Sequence, residues 1–287
     1  SLPVRVCHGR EAGPTVWISA ALHGDEIGGV EIIRQVNERL DPKRLRGTVL
    51  TIPIVTVHGF LIGDRYLPDR RDLNRSFPGS TRGSLASRIA STIMREIVNQ
   101  CDYGIDLHSA ATGRTNFPNV RGDMTVAGVR KLSKAFGCEL TIDGKGPLKS
   151  LRREACKAGV PTIILELGEP LKMEPAMLEI GVRGIMNVLI KLGMVKGDMV
   201  VPPYQATIKE TKWVRAKLGG ILRYTVVPGQ LVEKDQSVAV NFSVLGEQQN
   251  VLASPGEGIV LGISTMPVVK PGEPVCHIAM PGPTMMG

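Results

Sequence analysis

The chain has 287 residues, of which 43% are hydrophobic and 22% charged, a composition typical of a globular protein with one or two domains. This composition excludes a disordered chain, a collagen-like repeat and a coiled coil. No apolar run approaches the roughly 18–20 residues needed to cross a bilayer, which excludes a membrane-spanning helix.

The formal net charge of +8 is distributed unevenly along the chain. Residues 1–196 carry 28 Lys and Arg against 20 Asp and Glu, whereas residues 197–287 carry seven of each. An anionic small substrate explains this bias at least as well as nucleic acid does, because aromatic residues make up only 4% and no nucleic-acid motif is present. We therefore predict no nucleic-acid partner and no membrane partner.

The first two thirds of the chain alternate strand-like and helix-like segments. Short apolar or β-branched runs predict strands at 15–22, 48–57, 103–107 and 161–167, and apolar periodicity predicts helices at 27–40, 84–100, 124–136 and 175–192. Such alternation is typical of an α/β layered fold. Residues 58–83 lack periodicity, and a polar loop of that length inside a compact domain is usually functional.

The pattern changes near Gly197. Residues 200–287 show short β-like runs, Gly-Pro turns and no helical pattern. Two similar phrases, VVPGQLV at 226–232 and VVKPGEPV at 268–275, each predict a strand, a Pro-Gly turn and a second strand. We predict a catalytic domain at 1–196 and a small all-β domain at 197–287 with a weak internal duplication.

Five cysteines are present, an odd number without a C-x-x-C pair, which favours reduced thiols in the cytoplasm. No signal-peptide pattern is recognisable, and Ser1 leaves open whether a leader precedes it.

Three residues at predicted strand ends are of the types that bind catalytic zinc. An H-G-D-E motif at 23–26 follows the first long strand, and D-L-H-S at 106–109 ends a later one. Because strand ends meet at one edge of an open α/β sheet, His23, Glu26 and His108 would form a two-histidine, one-carboxylate zinc site. Asp106 would orient one of the imidazoles, although a lone histidine is more often a surface or hydrogen-bonded residue.

Four ordered motifs resemble the succinylglutamate desuccinylase/aspartoacylase family, zinc enzymes related to carboxypeptidase A-type metallopeptidases. They are H-G-D-E (23–26), D-L-N-R-S-F-P-G (72–79), D-L-H-S (106–109) and L-E-L-G (165–168), and the bacterial predicted-deacylase subgroup is the most similar. The resemblance implies a three-layer α/β/α catalytic domain with a mixed sheet, like that of zinc carboxypeptidases, followed by a small C-terminal all-β domain.

The resemblance also implies roles for individual residues. His23, Glu26 and His108 match the ligands of one zinc ion (Zn²⁺) per chain, and Glu166 matches the general base, with Glu169 as a nearby rival. Asn74 and Arg75 match the pair that binds the substrate carboxylate, and Arg65 resembles the arginine that polarises the scissile carbonyl. Together with Arg70 and Arg71, these arginines predict an electropositive cleft mouth.

The implied activity is zinc-dependent hydrolysis of a non-peptide amide bond in a small N-acylated amino acid or related anion. An esterase, a short-peptide carboxypeptidase and a non-catalytic binding module are the alternatives, and homo-oligomerisation stays open. His58 is interpreted as a loop histidine, with a place in the substrate pocket as the alternative, and His8 and His277 have no evident companions.

The C-terminal region resembles the biotinyl/lipoyl barrel-sandwich fold. It carries Asn241, Phe242 and Ser243 where a carrier protein has its modified lysine, so we expect a scaffold or a pocket lid.

Overall fold

The computed structural model describes residues 1–280. Its centre is a twelve-stranded mixed sheet, and four neighbouring strands of that sheet run parallel. The strands of the first two thirds are β1 (Arg5–His8), β2 (Glu11–Ser19), β3 (Arg46–Ile52), β4 (Tyr103–His108), β5 (Arg114–Gly122), β6 (Leu140–Asp143) and β7 (Thr162–Gly168). The α-helices are α1 (Gly28–Arg39), α2 (Val57–Ile62), α3 (Leu85–Glu96), α4 (Ala127–Phe136), α5 (Leu151–Lys157) and α6 (Pro175–Lys191).

Strands β3, β2, β4 and β7 form the parallel part of the sheet, and helices cover both of its faces. Because side chains alternate along a strand, Ile18 of β2 packs with α1, α4 and α6, whereas Trp17 packs on the other face with α3 and α5. Gly104 on β4 leaves room for the indole, since a Cβ atom there would lie 2.2 Å from the ring. The mixed α/β sheet that the sequence predicts is confirmed.

The C-terminal region consists of short strands and continues the same sheet. These strands are β8 (Ala206–Ile208), β9 (Glu210–Arg215), β10 (Gly220–Tyr224), β11 (Leu231–Val232), β12 (Ser237–Phe242), β13 (Gln248–Ala253), β14 (Gly258–Ser264), β15 (Val268–Val269) and β16 (Pro274–Met280). Strand β14 pairs with β5, and β8 pairs with β6, whereas β10, β12, β13 and β15 form a separate four-stranded sheet.

The second repeated phrase adopts the predicted strand–turn–strand form, whereas in the first only Leu231 and Val232 after the turn lie in a strand and residues 226–227 do not. Gly229 and Gly272 occupy their turns with φ of 88° and 85°, a conformation that favours glycine. The boundary between 196 and 197 and the barrel-sandwich class stay predictions, and so does the structure of residues 281–287, which lie outside the described part of the chain.

The sequence patterns did not predict β1, β5, β6 or α5, and residues 58–83, predicted as a loop, contain most of α2 and a 3₁₀ turn (Leu73–Arg75). Strand β5 escaped notice because Pro118 interrupts it, and proline normally argues against an interior strand. The structure accommodates Pro118 where the register between β5 and β7 shifts, between Asn116 and Asn119.

No helix within residues 1–280 is both long enough and apolar enough to cross a membrane.

Candidate active site

The candidate site lies at the carboxyl ends of β2, β4 and β7, on the face of the sheet that carries Trp17. Ser19, Asp106 and Ile164 are register partners on these three strands. His108 is likewise the register partner of Glu166 on the neighbouring strand. The alternation of side chains therefore places Asp106, His108 and Glu166 on one face, where His108 and Glu166 line a cleft of about 300 Å³.

The H-G-D-E segment forms a buried turn between β2 and α1. The Glu26 amide donates to the His23 carbonyl oxygen at 3.1 Å, which brings both side chains to the same side of the turn. Gly24 is needed for space rather than for an unusual φ, because a Cβ atom there would lie 2.1 Å from the carbonyl carbon of Gly59. The tight approach of α2 thus fixes the turn that carries both predicted ligands.

The side chains of His23, Glu26 and His108 converge as predicted. The two Nδ1 atoms lie 2.7 and 2.8 Å from the two carboxylate oxygens of Glu26. One ligand atom from each residue lies within 4.8 Å of the others, and all three residues are buried. They are the one such metal-ligating group found within residues 1–280.

The other ring nitrogen of each histidine faces a second carboxylate. Nε2 of His23 lies 3.2 Å from Asp72, and Nε2 of His108 lies 2.8 Å from Asp106, which also accepts a hydrogen bond from Ser19 at 2.6 Å. A carboxylate behind a histidine fixes its orientation and makes it a stronger ligand. Asp106 therefore has the orienting position that the sequence predicts, whereas sequence reasoning missed Asp72.

The electrostatics of this group keep the buried carboxylate ionised. Burial acts to raise the pKa of Glu26, but the neighbouring His23 and His108 outweigh it and lower that pKa below its usual range. The ionised carboxylate of Glu26 and the Nδ1 atoms of the two histidines form a donor set that suits zinc. Each histidine ring is held at Nε2 by its own carboxylate acceptor.

Glu166 lines the cleft, and Glu169 does not. The Glu166 carboxylate accepts a hydrogen bond from Asn116 Nδ2 at 3.1 Å and lies 3.7 Å from Nη1 of Arg121. Glu169 instead pairs with Lys172 and accepts from Thr265, each at 2.7 Å. The geometry favours Glu166 as the base, although its role stays a prediction.

The loop residues divide into two groups. Arg65, Asn74 and Arg75 line the cleft, and Arg65 donates to Asp72 at 3.0 Å. The side-chain oxygen of Asn74 accepts from the Leu151 amide at 2.9 Å, which ties this loop to the start of α5.

Other predicted loop residues lie away from the cleft. Arg70 and Arg71 are exposed and do not line it, so they are not part of the predicted cleft mouth. His58 is exposed, lies in α2 rather than in a loop, and borders a separate, mainly apolar cavity of about 460 Å³.

Sequence reasoning missed the opposite wall of the cleft, which we call the arginine wall. It consists of Arg114 and Arg121 of β5, Arg152 of α5, Trp213 of β9 and His277 of β16. The rings of Trp213 and His277 stack at 4.2 Å with an interplanar angle of 6°, and the Arg114 guanidinium lies 5.1 Å from the Trp213 ring centre. The interpretation of His277 as a histidine without companions is therefore wrong.

A signal for part of this wall was present in the sequence. Arg114 and Asn116 alternate before Pro118, and Asn119 and Arg121 alternate after it, shortly beyond the predicted ligand His108. A polar alternation at this place indicates a strand with one face towards the site, provided that Pro118 is accepted as a bulge residue. No comparable signal links Trp213 to His277, whose contact depends on pairing between distant strands.

Comparison with known proteins agrees with this architecture. The sequence model of the succinylglutamate desuccinylase/aspartoacylase catalytic domain matches residues 12–192. An N-alpha-acetyl-L-2,4-diaminobutyric acid deacetylase from Halomonas elongata is 31% identical over 253 residues, covering 83% of this chain and 73% of that protein.

Two solved structures share the fold. The succinylglutamate desuccinylase/aspartoacylase from Rhodobacter sphaeroides superposes with a TM-score of 0.87 at 23% identity, covering 98% of this chain and 90% of the other. The product-bound ectoine utilization protein EutE (DoeB) from Ruegeria pomeroyi gives 0.87 at 23% identity, covering 96% and 88%. With the family match spanning most of the chain and a relative above 30% identity, the resemblance seen in the motifs is confirmed, and the chain belongs to the succinylglutamate desuccinylase/aspartoacylase family.

Proposed function

We propose that this protein is a zinc-dependent deacylase that cleaves the amide bond of a small, anionic N-acylated amino acid. The observation that carries the proposal is the convergence of His23, Glu26 and His108 beside Glu166, in a cleft lined by arginines. Membership of a family whose relatives are named deacetylase and desuccinylase supports an amide hydrolase.

The metal would be held by Nδ1 of His23, Nδ1 of His108 and the carboxylate of Glu26, one ion per chain. Asp72 and Asp106 accept the Nε2 protons and so keep both Nδ1 atoms available as ligands. Zinc bound there supplies an acidified water and polarises a carbonyl group.

Glu166 would act as the general base. Its carboxylate takes a proton from the attacking water and returns it to the nitrogen of the leaving amine. The Asn116 hydrogen bond holds one carboxylate oxygen in place, and the other faces Arg121 across 3.7 Å. Glu166 therefore provides a proton acceptor on the strand next to His108.

Arg75 and Asn74 would bind a carboxylate of the substrate. A planar guanidinium suits a carboxylate better than an ammonium group does, and Arg75 has no ion pair within residues 1–280. Arg65 is restrained by Asp72 and would stabilise negative charge that develops on the carbonyl oxygen.

The C-terminal region would act as part of the pocket rather than as a carrier module. Trp213 and His277 line the cleft, which limits its size and favours small substrates over long peptides. We extend the proposal to a barrel-sandwich domain at 197–287 that serves as a scaffold for this wall.

The test is turnover by zinc-loaded protein on matched substrates. N-acetyl and N-succinyl amino acids, the corresponding O-acyl hydroxy acids and short peptides are each assayed for release of the free product. Amide cleavage in the N-acyl amino acids is the expected result. Activity confined to the O-acyl compounds or to peptides would show instead that the protein is an esterase or a carboxypeptidase, and the absence of all turnover would leave only a binding role.

A further inference from the structure

We propose that the solvent-facing side of the small four-stranded sheet is a dimer interface, at which two copies of this chain associate about a twofold axis. This sheet consists of β13, β12, β10 and β15, and none of its residues lines the candidate active site. The inference therefore goes beyond the proposed function and does not depend on it.

The sheet lacks the usual division into an apolar side and a polar side. Its inward-facing side chains, such as those of Leu222, Leu252 and Val269, are buried in the core of the C-terminal region. An antiparallel sheet with one side in solvent normally carries polar residues on that side. Here the solvent-facing side, which we call the outer face, is mainly apolar. Its residues are register partners across the four strands, namely Ile221, Arg223, Val240, Phe242, Gln248, Val251 and Val268.

The apolar side chains of the outer face are accessible to solvent. Val268 is 67% exposed, Val251 47% and Ile221 42%. Val244 and Leu245 extend the apolar surface at the turn between β12 and β13, where they are 84% and 85% exposed. Contiguous apolar surface of this kind is uncommon on monomeric proteins and marks a site of association.

The outer face carries a projection next to a depression. Ile221, Phe242 and Val244 help to line a shallow depression of about 300 Å³ beside the turn between β12 and β13. Leu245 projects from the same turn and does not line this depression. A twofold interface brings the same surface of both copies together, so each contact occurs twice with the roles exchanged. In this arrangement, Leu245 of each copy enters the depression of the other.

Two charged residues fit the same arrangement. The Arg223 guanidinium lies 4.9 Å from the centre of the Phe242 ring and lines the depression, and Glu247 ends the turn that carries Leu245. Neither residue forms an ion pair within residues 1–280. When Leu245 enters the depression of the other copy, Glu247 comes close to Arg223 of that copy. Each interface thus contains two such pairs of opposite charge.

The distribution of charge favours a second copy of the chain as the occupant. Residues 1–196 carry the whole surplus of +8, whereas residues 197–287 carry seven positive and seven negative side chains. Two copies that met through their first 196 residues would bring like charges together, which opposes association. The outer face belongs to the neutral region, where two copies meet with the least repulsion. A neutral surface also offers no net attraction to an anionic membrane or an acidic protein.

Sedimentation velocity of the full-length protein tests this interface, with concentrations from about 1 to 100 µM because dimerisation follows mass action. The expected species at the upper concentrations has twice the chain mass of 30.9 kDa. A protein that stays monomeric over this range overturns the proposal. If such a monomer co-sediments with phosphatidylcholine vesicles, the outer face is a lipid-binding surface instead.

Leu245→Lys and Val268→Lys locate the interface on the outer face. Both positions are largely exposed, so the single chain should tolerate either change, which circular dichroism and urea unfolding check. Each substitution should weaken dimerisation by about 100-fold or more, because one apolar side chain in each of the two copies loses its burial.

Leu61→Lys is the matched control, since Leu61 is 74% exposed on α2 and lies outside the outer face. It should leave dimerisation unchanged. Unaltered dimerisation in both outer-face variants, or an equal loss in Leu61→Lys, would contradict the assignment of the interface to this face.

Charge reversal tests the twofold arrangement. Arg223→Glu and Glu247→Arg each place like charges opposite one another, and each should weaken dimerisation by about tenfold or more. The combined variant restores opposite charges in exchanged order, so its dimerisation should return to near the wild-type value. A combined variant that dimerises no better than the single variants would overturn the arrangement.

Discussion

The two sides of the cleft differ in how far their charges are already compensated. On the side of the metal group, His23 and His108 contact Glu26 and are each held by a further carboxylate. On the arginine wall, Arg152 is buried, and two of its nitrogen atoms have no hydrogen-bond partner among residues 1–280. The contrast teaches that the groups proposed for the chemistry are held in place by the protein, whereas Arg152 keeps two hydrogen-bond donors that no other group in the described part of the chain uses.

Removal of the metal is expected to have the largest effect, because it would abolish the chemistry that all substrates share. Native protein should contain about one zinc per chain by elemental analysis, and chelation should reduce turnover to background, with recovery on adding zinc. His108→Ala should lose stoichiometric zinc, whereas His58→Ala, at an exposed histidine outside the cleft, should retain it. Full activity in metal-free protein would contradict the assignment of the catalytic chemistry to a metal held by His23, Glu26 and His108.

Substitution of the base should have the next largest effect and should again be independent of the substrate. Glu166→Gln keeps the shape of the side chain but cannot accept the proton, so kcat should fall by about 10²–10⁴ while zinc is retained. Glu169→Gln serves as the matched control, since Glu169 is paired with Lys172 and Thr265 outside the cleft. Near-normal turnover in Glu166→Gln would show that another group takes the proton.

A carboxylate-binding residue should instead discriminate between substrates. Arg75→Ala should lower kcat/KM by roughly 10- to 150-fold for an N-acyl amino acid, because a charge-assisted hydrogen bond is lost. The same variant should have little effect on the α-carboxamide of that substrate. Equal losses on the acid and its amide would place Arg75 among the structural residues rather than among those that recognise the carboxylate.

The smallest expected effect is on stability rather than on turnover. The pKa of His277 is lowered to about 4 in the folded protein, from an ordinary value near 6.5, by burial and by the charges of Arg121 and Arg114. The unfolded chain therefore binds this proton at a higher pH than the folded chain does, and stability falls as the pH decreases from about 6.5 towards 4. At pH 5 the contribution is about 1–2 kcal/mol relative to pH 7.

His277→Gln should remove that part of the pH dependence. Urea unfolding of metal-free wild type and variant at pH 7 and pH 5 measures it, since zinc release then affects neither sample. If the free energy of unfolding decreases equally in the two proteins between pH 7 and pH 5, His277 does not cause this part of the pH dependence.

The local part of the site could be predicted from sequence, and the wall built from distant strands could not. His23 and Glu26 lie three residues apart, and His108 and Glu166 each lie near the end of a recognisable buried strand, so strand-end positions and family motifs were enough to bring them together. Trp213 meets His277 because β9 pairs with β16, a contact between residues 64 positions apart that no local pattern encodes. Arg152 escaped notice because α5 has only seven residues, too few for a clear helical period.

The pairing of β14 with β5 and of β8 with β6 also has a consequence for dissecting the protein. A fragment ending at residue 196 would lose the hydrogen-bond partners of Arg114–Asn116 on β5 and of the outer edge of β6. Unpaired edges of this kind recruit strands from other molecules, so such a fragment should self-associate rather than persist as a monomeric deacylase of broader specificity. In this chain, the two predicted domains are joined by strand pairing within one sheet and not only by a linker. Exchanging either half for that of a relative would disrupt these strand pairs and destabilise the protein.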